Sequence, residues 1–127
     1  MFSTAPPPAL AAALDASLTV IGTEPERRRR VRELAGALRG MLVERGVDIG
    51  RSESQIIPVM LMDSNRATSA AADVQREGFD VRAIRPPAVA PGTARLRISV
   101  NALLDESTLQ RLACALQKVV SCSVASS

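Results

Sequence analysis

The chain has 127 residues, one domain's worth of sequence, which is enough to bury a real but modest core. Apolar residues make up 46%, yet Phe2 and Phe79 are the only aromatics, so the core must be built from Ala, Leu, Val and Ile. The formal charge of +3 is carried by arginine, with no histidine and a single lysine, Lys118; acid–base catalysis usually recruits His and Schiff-base chemistry requires Lys, so the chain alone does not read as a complete enzyme.

Other classes recede on the same grounds. No apolar run approaches the roughly 20 residues that cross a bilayer. The N-terminus lacks a basic region followed by an apolar stretch, which argues against a secretory signal. The expectation is a cytoplasmic protein without a membrane partner. The run "ERRRRVRE" invites a nucleic-acid reading, but Arg27 to Arg30 sit in an amphipathic helix, are flanked by Glu24, Glu26 and Glu33, and have no aromatic partners for base stacking. A solvated helix face explains them better.

In chain order, "STAPPPALAAALDASLTVI" starts extended because its prolines exclude a preceding helix, and Pro8 can occupy a first helical turn. Leu10, Leu14, Leu18 and Ile21 then repeat at helical spacing, with Gly22 as the stop. "TEPE" has the capping-box form, Thr23 as N-cap and Glu26 three residues on. Val31, Leu34, Leu38 and Leu42 supply a buried stripe for the second helix, which Gly46 ends. "SQIIPVML" reads as a short strand, with Pro58 arguing for an edge or bulge position. "DSNRATSAAADVQREG" is a helix with a polar N-cap, a face of Ala67, Ala70, Ala71 and Val74, and Gly78 at its C-terminal cap.

"FDVRAIR" gives a second strand, in which Phe79, Val81 and Ala83 alternate with Asp80, Arg82 and Ile84. A proline-rich loop leads into a third strand, Ala94 to Val100, with Ala94, Leu96, Ile98 and Val100 on one face and Arg95, Arg97 and Ser99 on the other. "DESTLQRLACALQKVVSC" is a last helix with a stripe of Leu109, Leu112, Leu116 and Val119 or Val120, and "SVASS" is expected to fray. Cys114 and Cys122 on that helix stand about 12 Å apart along its axis, too far for a disulfide. Reduced thiols, one of them buried, are expected. Lys118 has Cys114 and Ser121 as its helical neighbours, which is not a catalytic constellation.

The order helix, helix, strand, helix, strand, strand, helix predicts an α/β (α+β two-layer) fold: a small three-stranded, mostly antiparallel sheet covered on one face by helices and preceded by two helices. The other sheet face, polar at Arg95 and Arg97, is a candidate to cover something else.

The stretch "AIRPPAVAPGTARLRISVNALLDESTLQRLACAL" resembles the C-terminal end of the 8-amino-7-oxononanoate synthase family, α-oxoamine synthases of the pyridoxal-phosphate-dependent aminotransferase fold (fold type I). The resemblance extends back through "SQIIPVMLMDSNRATSAAADVQREGFDV" to "FSTAPPPALAAALDASL" and so covers essentially the whole chain. It implies a truncated enzyme: residues 1–46 as a helical segment from the end of a large domain, and 47–127 as a C-terminal small domain. The Schiff-base lysine and the residues that hold the pyridoxal ring belong to a preceding part of the family's chain, so no catalytic residue is assigned here. The family condenses L-alanine with a pimeloyl thioester, of coenzyme A or acyl carrier protein, with loss of CO2, and works as a homodimer.

Four residues carry roles by this resemblance. The hydroxyls of Ser3 and Thr4, Thr4 favoured, match positions that reach the cofactor phosphate of the neighbouring subunit. Arg97, the second arginine of "ARLR", matches the residue that binds the amino-acid carboxylate, a task suited to a guanidinium because it offers two parallel donors and stays protonated. Arg95 shares the face, and strand spacing does not choose between them. Arg85 matches a position beside the substrate channel, while Ala88 departs from the family in standing where a threonine hydroxyl is often found. By resemblance the isolated chain binds no pyridoxal 5'-phosphate and is inactive. The competing readings are a glycine-using α-oxoamine synthase and a stand-alone assembly module whose uncovered sheet face promotes self-association.

Overall fold

The computed structural model describes residues 5–122. Ser3, Thr4 and the C-terminal "SVASS" lie outside the described residues. Four helices and three strands follow in the expected order: α1 (Pro8–Thr23), α2 (Pro25–Glu44), β1 (Ile56–Met62), α3 (Ser64–Arg76), β2 (Arg82–Ile84), β3 (Ala94–Ser99) and α4 (Glu106–Cys122). The sheet is antiparallel throughout, in the order β1-β3-β2. Strand alternation sends Ile57, Val59 and Leu61 of β1 and Ala94, Leu96 and Ile98 of β3 into the core, where they meet Ala67, Ala70, Ala71 and Val74 of α3. Leu34, Leu38 and Leu42 of α2 and Leu109, Leu112 and Leu116 of α4 complete the same cluster. With alanine facing the sheet along α3, the helix lies close to it, and aliphatic side chains fill the space without aromatics.

Two junctions differ from expectation. The expected stop at Gly22 and N-cap at Thr23 are not formed: α1 runs through both, and the Thr23 hydroxyl donates back to the Thr19 carbonyl at 2.8 Å. The break falls at Glu24 because the residue before a proline is disfavoured in the helical region, and Pro25 then takes the first turn of α2. The expected strand from Phe79 shrinks to Arg82–Ile84. Here Phe79 N–H still bonds the Val74 carbonyl (3.3 Å) and Gly78 N–H the Gln75 carbonyl (2.9 Å), so the backbone is committed to closing α3 before it can pair with β3. Gly78, at φ +93°, supplies the left-handed residue of this Schellman closure; Gly46 at φ +71° does the same for α2.

The first helix stands apart. No residue of α1 is buried, and its periodic Leu14 and Leu18 are 56% and 66% exposed. The expected thiol burial also fails: Cys114 and Cys122 are both exposed, because α4 turns Ala113, Ala115 and Leu116 inward and leaves Cys114 off that stripe. The division expected at residue 46 falls after α2, whose inner face belongs to the sheet's core, whereas α1 contributes nothing to it.

Local chemistry also protects the outer edge of β1. Its outward amides are accounted for: Ile56 N–H donates to Ser54 Oγ (3.1 Å), Pro58 has none, and Met60 N–H donates to the Asp48 carbonyl (2.9 Å). A neighbouring strand finds no row of donors there, so the edge position expected from Pro58 is blocked against sheet extension.

Asp63 caps α3 by accepting the Arg66 N–H at 2.8 Å, and Asp105 caps α4, its Oδ1 accepting the Thr108 N–H at 2.7 Å and the Ser107 hydroxyl at 3.0 Å. Hydrogen bonds from Thr108, then Ser107, hold the Asp105 carboxyl below its ordinary value of 3.8. Because the folded-state value lies below the unfolded one, the cap stabilises above that pH and is lost as pH falls through the folded-state value. Asp105→Ala is therefore expected to lower the melting temperature at about pH 6, with the gap from the parent chain closing towards about pH 3. Thermal unfolding followed by circular dichroism at the two pH values checks this; a gap that is the same at both would rule out the ionised cap.

Candidate functional site

Helices α2, α3 and α4 share the core on one side of the sheet, and the strand residues of the opposite parity form the other face. On β3 these are Arg95 and Arg97; across from them the register places Met60 and Pro58 of β1 and Ile84 and Arg82 of β2. Two guanidinium groups thus project from the central strand, Arg95 between Met60 and Ile84 and Arg97 between Pro58 and Arg82. Like charges directly opposite each other on a sheet are unfavourable, and the Arg82–Arg97 pair is such a case. Asp80 relieves half of it by pairing with Arg82 Nε at 3.0 Å. Among the described residues no carboxylate pairs with Arg97 or Arg95.

The two arginines differ. Arg95 is half-buried, and its Nε donates to the Thr93 carbonyl at 3.0 Å, which folds it against the start of its own strand. Arg97 is exposed and has no hydrogen-bond partner among the described residues. Both border a shallow depression of about 470 Å³, together with Ser52, Ser54, Ile56, Pro58 and Ile84. An anion entering it meets a planar, permanently charged fork at Arg97 with apolar surface around it, a setting in which a carboxylate is held by two parallel bonds.

Arg85 lies just past β2, exposed, with its carbonyl accepting the Ala88 N–H at 3.0 Å. It is one residue beyond Ile84 but does not border the depression, so the structure brings Arg95 and Arg97 together and leaves Arg85 at the rim loop. The Pro86–Pro87 peptide bond in that loop is cis, and Gly92 adopts φ +74° before β3. Ser3 and Thr4 fall outside the described residues. Arg82, which the sequence reading used only as a strand residue, belongs to the same charged face; its alternation with Ala83 was the available signal.

A pyridoxal cofactor needs an amine for its aldehyde, a carboxylate for its ring nitrogen and donors for its phosphate. The only lysine, Lys118, is on α4, exposed, and 3.5 Å from Glu77, and it does not border the depression at Arg95 and Arg97. The described residues therefore do not make up a pyridoxal site by themselves. Among them there is also no cluster of His, Cys, Asp or Glu suited to a metal ion, and no helix is long and apolar enough to cross a membrane.

Helices backing a small three-stranded antiparallel sheet are an arrangement this chain shares with fold-type I pyridoxal-phosphate enzymes. In solved structures this chain superposes on serine palmitoyltransferase from S. paucimobilis carrying a PLP–myriocin aldimine, with TM-score 0.88 and 29% identity, covering 98% of this chain and 32% of that one. It also superposes on 8-amino-7-oxononanoate synthase from Francisella tularensis with TM-score 0.83 over 98% of this chain and 36% of that one; at 18% identity this likeness speaks to the fold alone.

Residues 1–116 match the family model for aminotransferase class I and II, and the chain belongs to that family of pyridoxal-phosphate-dependent transferases. It is 46% identical over 121 residues to 8-amino-7-oxononanoate synthase of Anaeromyxobacter dehalogenans (strain 2CP-C), covering 94% of this chain and 30% of the relative. It is 44% identical over 117 residues to a putative 8-amino-7-oxononanoate synthase of Phenylobacterium zucineum (strain HLK1), covering 92% and 29%. The chain thus spans about 30% of the length of the curated relatives it matches.

Proposed function

We propose that the chain acts as the C-terminal portion of an 8-amino-7-oxononanoate synthase, a cytoplasmic homodimer that condenses L-alanine with a pimeloyl thioester and releases CO2. Arg97 carries this reading: an exposed guanidinium without an ion pair among the described residues, on the sheet face opposite the helices, in a chain 46% identical to a synthase of that name. In the proposal Arg97 binds the alanine carboxylate, and Arg85 borders the entry of the acyl thioester. Thr4, with Ser3, donates to the cofactor phosphate of the neighbouring subunit. Residues 1–46 come from the end of the large domain, with α2 joining the small domain through its inner face, and 47–127 form the small domain proper. When bound, the cofactor stabilises negative charge at the amino-acid Cα. The lysine that anchors it is supplied outside this chain, so the isolated chain is inactive.

The test is product formation by the longer protein: CO2 release is expected only when L-alanine, a pimeloyl thioester and pyridoxal phosphate are all present. Equal or faster turnover with glycine in place of alanine would assign the chain to a glycine-using synthase instead.

A further inference from the structure

The shortness of β2 opens a second depression. Beyond the Arg82–Arg97 pair, the β2-side edge of β3 has no strand beside Ile98 and Ser99 among the described residues. The segment from Glu77 to Val81 passes there as a turn rather than a strand, and a hollow of about 700 Å³ lies between it, β3 and the first turns of α4. This size lies within the range of small-ligand pockets.

The charges bordering the hollow are unevenly committed. Glu77 pairs with Lys118 at 3.5 Å and Asp80 with Arg82 at 3.0 Å. Arg97 and Arg111, which also border it, have no carboxylate partner among the described residues. The Arg111 guanidinium stands over the Phe79 ring, 5.4 Å from its centroid, which poises a cation above an apolar surface. Phe79 and Leu104 are only partly covered and form that surface. Asn101 uses its Oδ1 to accept the Leu103 N–H at 2.9 Å, leaving its amide nitrogen as a donor beside the hollow. The charged groups at the hollow left without an opposite partner among the described residues are thus the two guanidinium groups, with the Asn101 amide nitrogen as a further donor.

We propose that this hollow binds an amphipathic monoanion, a carboxylate with an aliphatic tail, whose head is taken by Arg97 and Arg111 and whose tail lies on Phe79 and Leu104. A carboxylate offers two oxygens to the two guanidinium groups, and the apolar surface rewards an aliphatic tail that a bare phosphate or acetate lacks. Arg97 borders both depressions, so an anion held here competes for the side chain that serves the uncovered sheet face. The binding itself does not rest on the proposed synthase activity.

Titration calorimetry of the 127-residue chain with octanoate, acetate and inorganic phosphate at low ionic strength tests the proposal. Octanoate is expected to bind as a single saturable site, about tenfold or more tighter than acetate because of its buried methylenes. Arg111→Gln is expected to weaken octanoate about tenfold, the loss of one charge-assisted contact, while Arg28→Gln on exposed α2 changes it less than about twofold. Should Arg111→Gln disturb α4 by circular dichroism, Arg97→Gln gives the same reading from a strand. Phosphate binding as tightly as octanoate, acetate matching octanoate, or binding indifferent to both arginine variants would each overturn the proposal.

Discussion

Replacing Arg97 by alanine in the full-length enzyme is expected to weaken L-alanine binding about ten- to a hundredfold and to leave binding of the pimeloyl thioester within about twofold. The asymmetry follows from the role proposed for the guanidinium, holding the amino-acid carboxylate. A charge-assisted bidentate contact contributes about 1.5–3 kcal/mol, and the neighbouring Arg82 is already paired with Asp80. Arg95 is the only comparable cation on the same strand face, and its Nε is held by the Thr93 carbonyl at 3.0 Å. Arg95→Ala should therefore weaken alanine binding far less. Cofactor absorbance titrated with L-alanine, alongside steady-state kinetics for the thioester, separates the two substrates. Equal losses for both would remove Arg97 from the amino-acid site.

The second large effect is on stability. Leu38→Ala in α2 is expected to destabilise the 127-residue chain by about 3 kcal/mol and lower its melting temperature by about 10 °C, since Leu38 is fully buried where α2 meets the rest of the core. Leu14→Ala in α1 removes the same atoms from a side chain that is 56% exposed, and its expected effect in this chain is within about 0.5 kcal/mol. In the longer protein, where the proposed large domain covers α1, Leu14→Ala should become distinctly more costly. Thermal and urea unfolding of the two variants in both chains provide the comparison. A Leu38→Ala variant as stable as the parent would mean that α2 is not integral to the sheet's core.

Much of this fold was legible because local signals agreed with tertiary ones. The Ala67, Ala70, Ala71 and Val74 face, the Asp63 cap and Gly78 all pointed to one helix, and α3 has those features. Pro58 marked an edge strand, and β1 is one. Where the reading missed, a neighbouring constraint prevailed. Thr23 had the form of a cap, but Pro25 placed the helix break at Glu24. Phe79 alternated as a strand residue, but its amide was already committed to the end of α3. The leucines of α1 have core periodicity without a core, because periodicity reports an apolar face and not what meets it.

The candidate site was legible in a narrower way. Alternation placed Arg95 and Arg97 on one face, but only geometry separated them, through a backbone carbonyl that strand spacing cannot reveal. The hollow between Phe79, Arg97 and Arg111 joins residues far apart in the chain and depends on β2 being short, the feature that alternation overestimated.

On the proposed reading, this chain holds the carboxylate-binding half of an amino-acid site and the cofactor's anchor lies outside it. Adding pyridoxal phosphate to the 127-residue chain and recording its absorbance after dialysis tests that claim most directly. The expected result is no retained Schiff-base band and no change on adding L-alanine. A band that survives dialysis and shifts with L-alanine would contradict it.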